Sequence, residues 1–205
     1  MYKSTTLFDT SKLVLRPLPI QREFEIDYYE FLTSLPSRID AAFQMTRDEL
    51  KRKPPLSVNK NWFANTMNGN LIYLIGTAYP EFLKYTGRGS YCLFLNYRYE
   101  GYLKKLSGRK LFPSYNHSKT SRAITNQQAL PEQEPLPIIY IGYTSNKTND
   151  FITGYYAVCI KGKERIWKTD LTAIEKPAVK NAEQEVAQTA KPLITVKPKE
   201  RRKAQ

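Results

Sequence analysis

Between Lys84 and Arg122 the chain carries nine cations: Lys84, Arg88, Arg98, Lys104, Lys105, Arg109, Lys110, Lys119 and Arg122. A single acid, Glu100, stands against them. Aromatic residues are interleaved throughout: Tyr85, Tyr91, Phe94, Tyr97, Tyr99, Tyr102, Phe112 and Tyr115. Phosphates require cations within reach, and bases require flat faces to stack on; this alternation offers both. Arginine adds bidentate geometry toward phosphate or guanine edges. The expectation is a surface in which Arg88, Arg98, Lys104, Lys105, Arg109 and Lys110 contact phosphates, with Tyr97, Tyr99 and Tyr102 as stacking partners.

The same chemistry shows at the level of the chain. Thirty-two Lys and Arg against nineteen Asp and Glu give a formal charge of +13 and a pI near 9.6. Such a surplus attracts polyanions over long range. The expected partner is therefore nucleic acid, DNA or RNA, with other protein subunits of a nucleoprotein assembly as the alternative.

A second motif carries different chemistry. "YIGYTSN", Tyr140 to Asn146, resembles the second half of the GIY-YIG nuclease motif. That resemblance implies a catalytic tyrosine, a phosphate-holding arginine soon after YIG and a downstream metal-binding glutamate, for which Glu164 is the first candidate. Directly upstream, "QQALPEQEPLP" contains no GIY, and the first downstream arginine is Arg165. The expectation is a core strand ending in a polar turn, with an atypical nuclease as the less favoured alternative. His117 is the only histidine, which excludes a multi-histidine metal centre. "YTGRGSY" lacks the Gly-Lys-Ser/Thr ending of a phosphate-binding loop. No catalytic residue, metal or cofactor is expected. A helix-turn-helix layout is a further candidate around "KRKPPLSVNKNWFANTMNG", where Asn59, Lys60, Asn61 and Asn65 fall on the second helix and suit adenine edges.

These residues need elements to position them. "KLVLRPLP" reads as a short strand cut by its prolines. Residues 21–35 read as a helix, with Phe24, Tyr28, Phe31, Leu32 and Leu35 at helical spacing; Pro36 should end it. Ser37 should cap a second helix carrying Ile39, Phe43 and Leu50, and Ser57 a third, carrying Val58, Trp62, Phe63 and Met67 and closed by Gly69. Strands should follow: "NLIYLIG", "SYCLFLNYRYEGYL" as one run, "PIIYIGYT", and a hairpin from Tyr155 to Leu171 turning at Lys161-Gly162-Lys163. Residues 114–135 read as a polar loop.

Helices first and strands later predict an α+β fold, with N-terminal helices packed on a mostly antiparallel sheet. One domain is expected over 1–172, helical over about 20–69 and strand-rich over 70–172, with a disordered basic tail over 173–205 ending in "KPKERRKAQ". Cys92 and Cys159 lie in apolar runs and read as small hydrophobes. The N-terminus shows no apolar leader and no run reaches membrane length, so an intracellular protein, cytoplasmic or bound to the nucleoid or nucleus, is expected.

Overall fold

The computed structural model describes residues 14–53, 60–87, 90–107, 110–113, 119–129 and 134–176. The chain divides into two units, Met1–Glu175 and Lys176–Gln205. The expected tail begins at residue 173; residues 173–176 are described, with Ile174 half-buried against the core, and the remainder from 177 onward lies outside the described residues.

The fold is α+β. Helices α1 (Gln21–Asp27), α2 (Tyr29–Lys51) and α3 (Lys60–Ala78) come first, after a short strand β1 (Val14–Leu15). A 3-10 turn, Pro80–Phe82, leads into strands β2 (Leu83–Gly87), β3 (Ser90–Leu95), β4 (Tyr99–Ser107) and β5 (Phe112–Pro113). Helix α4 (Lys119–Thr125) and strand β6 (Gln128–Ala129) precede β7 (Ile138–Ser145), β8 (Ile152–Lys161) and β9 (Glu164–Asp170). The main sheet has the order β2-β3-β4-β7-β8-β9, with β5 paired to β4. Every pairing is antiparallel except β4 with β7, which run parallel.

Pro36 does not end a helix; α2 runs through it. A proline inside a helix costs about 3 kcal/mol. Phe31, Leu32, Leu35, Ile39 and Phe43 keep one helical stripe in phase across it, and all are buried. Each such burial contributes on the order of 1.5–3 kcal/mol, so the stripe outweighs the proline. The chain breaks instead at Tyr28, whose backbone leaves the helical region and whose hydroxyl donates to Leu95 O at 2.9 Å. Ser37 is consequently an interior residue, its hydroxyl donating back to Ser34 O. Ser57 lies outside the described residues.

"NLIYLIG" is not a strand but the C-terminal half of α3, and Gly69 does not close the helix. Met67, Leu71 and Ile75 recur at i, i+4 and i+8 and are buried, while Tyr73 faces solvent. A short apolar run is compatible with either element, and here the period continues from Phe63. The single strand expected over 90–103 is a hairpin. Asn96 and Tyr97 both take left-handed backbone (φ 46° and 58°), and Arg98 N returns to Leu95 O at 2.9 Å. The expected polar loop holds α4 and β6, the latter paired with β1; residues 114–118 and 130–133 lie outside the described set. The β8–β9 hairpin turns where expected, with Gly162 at φ 61°.

Strand alternation divides the core in two. Leu93, Leu95, Tyr99, Leu103, Ile139, Ile141, Tyr143 and Ala157 face α1, α2 and α3. On the other face Leu106, Ile138, Tyr140, Val158 and Ile160 pack with Tyr102, Tyr156, Leu111, Phe112 and Ile124 of α4.

Candidate functional site

Strand β4 divides the expected contact residues between its two ends. At its start, Tyr97 is 77% exposed and its ring meets Phe94 edge-on at 4.8 Å. Beside it Arg98 bonds Asp27 and lies 3.8 Å from Glu23, both on α1. The guanidinium is therefore already faced by two carboxylates, with which a phosphate would have to compete. The acids came from a helix outside the basic window, so a local charge count could not register them.

Tyr99, expected as a stacking residue, lies in the core. It is 4% exposed, with its ring edge-on to Phe24 and Tyr28 at 5.4 and 5.7 Å. A base cannot reach that ring without opening the core. Tyr102 is half-buried on the opposite face; its hydroxyl donates to Glu100 Oε1 at 2.5 Å and its ring lies tilted over Tyr140 at 6.0 Å. Burial, followed by the charge of Glu100, pushes its phenol well above the ordinary tyrosine value. Glu100, the one acid of the window, in turn accepts from buried Arg16 at 2.7 Å. Arg16 also donates to Leu136 O at 2.6 Å.

At the far end of β4 the picture differs. Lys104, Lys105 and Lys110 follow one another along the end of β4 and into its turn toward β5. Arg109 lies outside the described residues, as does Arg88 in the β2–β3 turn. Lys104 and Lys105 line a cavity of about 200 Å³ together with Asn65, Asn68 and Leu71 of α3, and Tyr143 of β7. By alternation Lys105 shares the helix-facing side with Leu103, while Lys104 shares the face of Tyr102.

The electrostatics of this cleft favour an anion. Among the described residues that line it, none is a carboxylate. Lys105 Nζ donates to a neutral acceptor, Asn149 Oδ1, at 2.5 Å, and Ser145 Oγ donates to the same oxygen at 2.7 Å. Burial holds both lysines below their usual 10.5, and for neither is a compensating acid among the causes. Lys104 reaches solvent, yet protein atoms crowd around it and reduce its hydration. Burial pushes Tyr143 up to about 12, so its phenol keeps its proton near neutrality. A cation partly stripped of water, Lys105, and amides able to donate make a phosphate-sized anion a suitable occupant.

Asn65 was legible as a polar residue on a helix, but its place opposite Lys105 depends on how α3 packs on β4. Asn68 and Tyr143 had no signal of their own. The half-motif has a structural setting. Tyr140 is 3% exposed within the second apolar cluster. Gly142 pairs with Lys104 across the parallel β4–β7 ladder, and a Cβ there would stand 1.7 Å from Lys104 O. The glycine is thus required by the close approach of two backbones. The strand paired in a hairpin with β7 is β8, downstream of it.

Among the described residues no three His, Cys, Asp or Glu side chains gather to hold a metal, and no helix is long and apolar enough to cross a membrane. Compared with protein-family models, with curated proteins and with solved structures, the chain finds no match.

Proposed function

We propose that this protein binds nucleic acid without catalysing a reaction on it, through the cleft between α3 and the end of β4. One observation carries this reading: Lys105, on the helix-facing side of β4, is partly desolvated beside Asn65 and Asn68, with no carboxylate among the described lining residues, while Lys104 adds its charge from the other face of the same strand end. A phosphate in the cleft would restore to the Lys105 ammonium the stabilisation that burial removes. Lys110 and the formal +13 of the chain extend the field that brings a polyanion in.

The test is fluorescence anisotropy with single- and double-stranded DNA and RNA at two salt concentrations. Affinity should fall steeply with salt, and Lys104→Ala with Lys105→Ala should weaken binding by at least about tenfold. Indifference to both changes would sink the reading. Incubation with magnesium or manganese addresses the nuclease alternative: cleavage that disappears in Tyr140→Phe would replace this proposal with an active site at β7.

A second reading, a subunit of a nucleoprotein assembly, is favoured by a different surface. Val14, Leu15, Leu18, Ile20 and Ile26 are all exposed within a short stretch of chain. Apolar side chains exposed so near one another along the chain suit a protein partner.

A further inference from the structure

Two tyrosines outside the expected contact set stand close to the lysine cleft. Tyr85 of β2 pairs with Tyr91 of β3, with ring centroids 5.2 Å apart and planes tilted by 60°. They are 57% and 45% exposed. Their position follows from register. Leu93 of β3 pairs with Gly101 of β4 in antiparallel sense. Moving upstream from Leu93 to Tyr91 therefore runs alongside moving downstream from Gly101 to Leu103, and Lys105 lies two residues further on. Tyr91, Leu103 and Lys105 share one face of the sheet, the face that carries α3. Strand geometry puts Tyr91 and Lys105 about 8 Å apart along that face.

We infer that this face takes a single strand of nucleic acid in preference to a duplex, its bases stacking on Tyr85 and Tyr91 while a neighbouring phosphate enters the cleft at Lys105. The inference rests on the proposed function and names its ligand class. Stacking needs unpaired bases, and the faces of paired bases are covered by their own neighbours. The cleft makes the same selection by shape. A duplex is a broad cylinder whose phosphates ride on its outside, whereas a single strand can lower one phosphate into a cavity of about 200 Å³. Tyrosine suits this role, because its ring is an extended π-face and its hydroxyl remains hydrated at the surface.

The experiment compares a labelled oligothymidine of ~20 nucleotides with a duplex of equal length, using the full chain. The single strand should bind at least about tenfold more tightly at equal salt. Tyr85→Ala with Tyr91→Ala should lower single-strand affinity by about tenfold or more and leave duplex affinity unchanged. Tyr85→Phe with Tyr91→Phe keeps both rings and should keep the affinity. Photocrosslinking of wild-type protein to an oligonucleotide carrying 5-iodouracil needs no variant and should label the β2–β3 hairpin. Equal affinity for both forms, loss in the phenylalanine variant, or crosslinks confined to other segments would overturn the single-strand inference while leaving nucleic-acid binding in place. Failure to bind any nucleic acid would overturn the proposed function and this inference together.

Discussion

The side-chain amide of Gln127 donates to Ile138 O and to Ile160 O, and its oxygen accepts from Ile138 N, each at 2.9 Å. The residue is fully buried and takes left-handed backbone at φ 57°. It thus ties β7 to β8 from the segment that connects α4 to β6. Gln127→Leu keeps the volume but leaves three buried backbone groups without this partner. Urea unfolding should show a loss of about 2–4 kcal/mol; a change below about 0.5 kcal/mol would mean those groups are satisfied elsewhere. Nothing in "TNQQALPEQEP" marks one glutamine as interior, because its partners lie 11 and 33 residues away. The half-motif yields a paired expectation. Gly142→Ala drives a methyl into Lys104 O and should either prevent folding or cost more than about 3 kcal/mol. Tyr140→Phe keeps the buried ring and should cost only on the order of 1–3 kcal/mol, with nucleic-acid binding retained. Equal damage from the two would show that the hydroxyl, and not the backbone approach, is what the motif protects.

At the scale of elements, α2 sets two sequence rules against each other. Local chemistry says that Pro36 ends a helix; the buried stripe from Phe31 to Phe43 says that the helix continues. The stripe prevails because its contribution is the larger by several-fold. Pro36→Ala should therefore raise stability by about 1–2 kcal/mol, after allowance for the added freedom of the unfolded chain. A lower urea midpoint for this variant would show that the proline shapes the seat of α2 on the sheet. The same competition explains what was legible. Strands β7, β8 and β9 were readable because apolar character and a Gly-centred turn agreed. The second half of α3 was not, since "NLIYLIG" satisfies both periods over seven residues and only its continuity with Phe63 and Met67 decides. The β3–β4 turn escaped notice because Asn96 and Tyr97 adopt a left-handed conformation without glycine. That missed turn is why Tyr97, Arg98 and Lys105 looked like one surface when β4 holds them at opposite ends.

For the whole molecule the question is whether +13 acts as a diffuse cloud or through a defined place. A diffuse cloud would make binding depend on total charge, so removing any two surface lysines would have the same effect. The cleft makes a sharper expectation, because burial lowers the proton affinity of Lys105 in the free protein. The sign follows directly. A phosphate favours the charged ammonium, so binding in the cleft raises the pKa of Lys105 and takes up a proton as pH climbs through the free-protein titration. Affinity should then fall with rising pH, beginning below the 10.5 of an ordinary lysine. Lys104→Ala with Lys105→Ala should remove that early fall and flatten the salt slope by about two. As a control, Lys161→Ala with Lys163→Ala in the exposed β8–β9 turn removes the same charge elsewhere. If the control variant matches the cleft variant in both salt slope and pH profile, the charge acts as a cloud and the cleft has no privileged role. If only the cleft variant loses the early fall, the phosphate is bound where burial has left Lys105 with no acid to face it among the described residues.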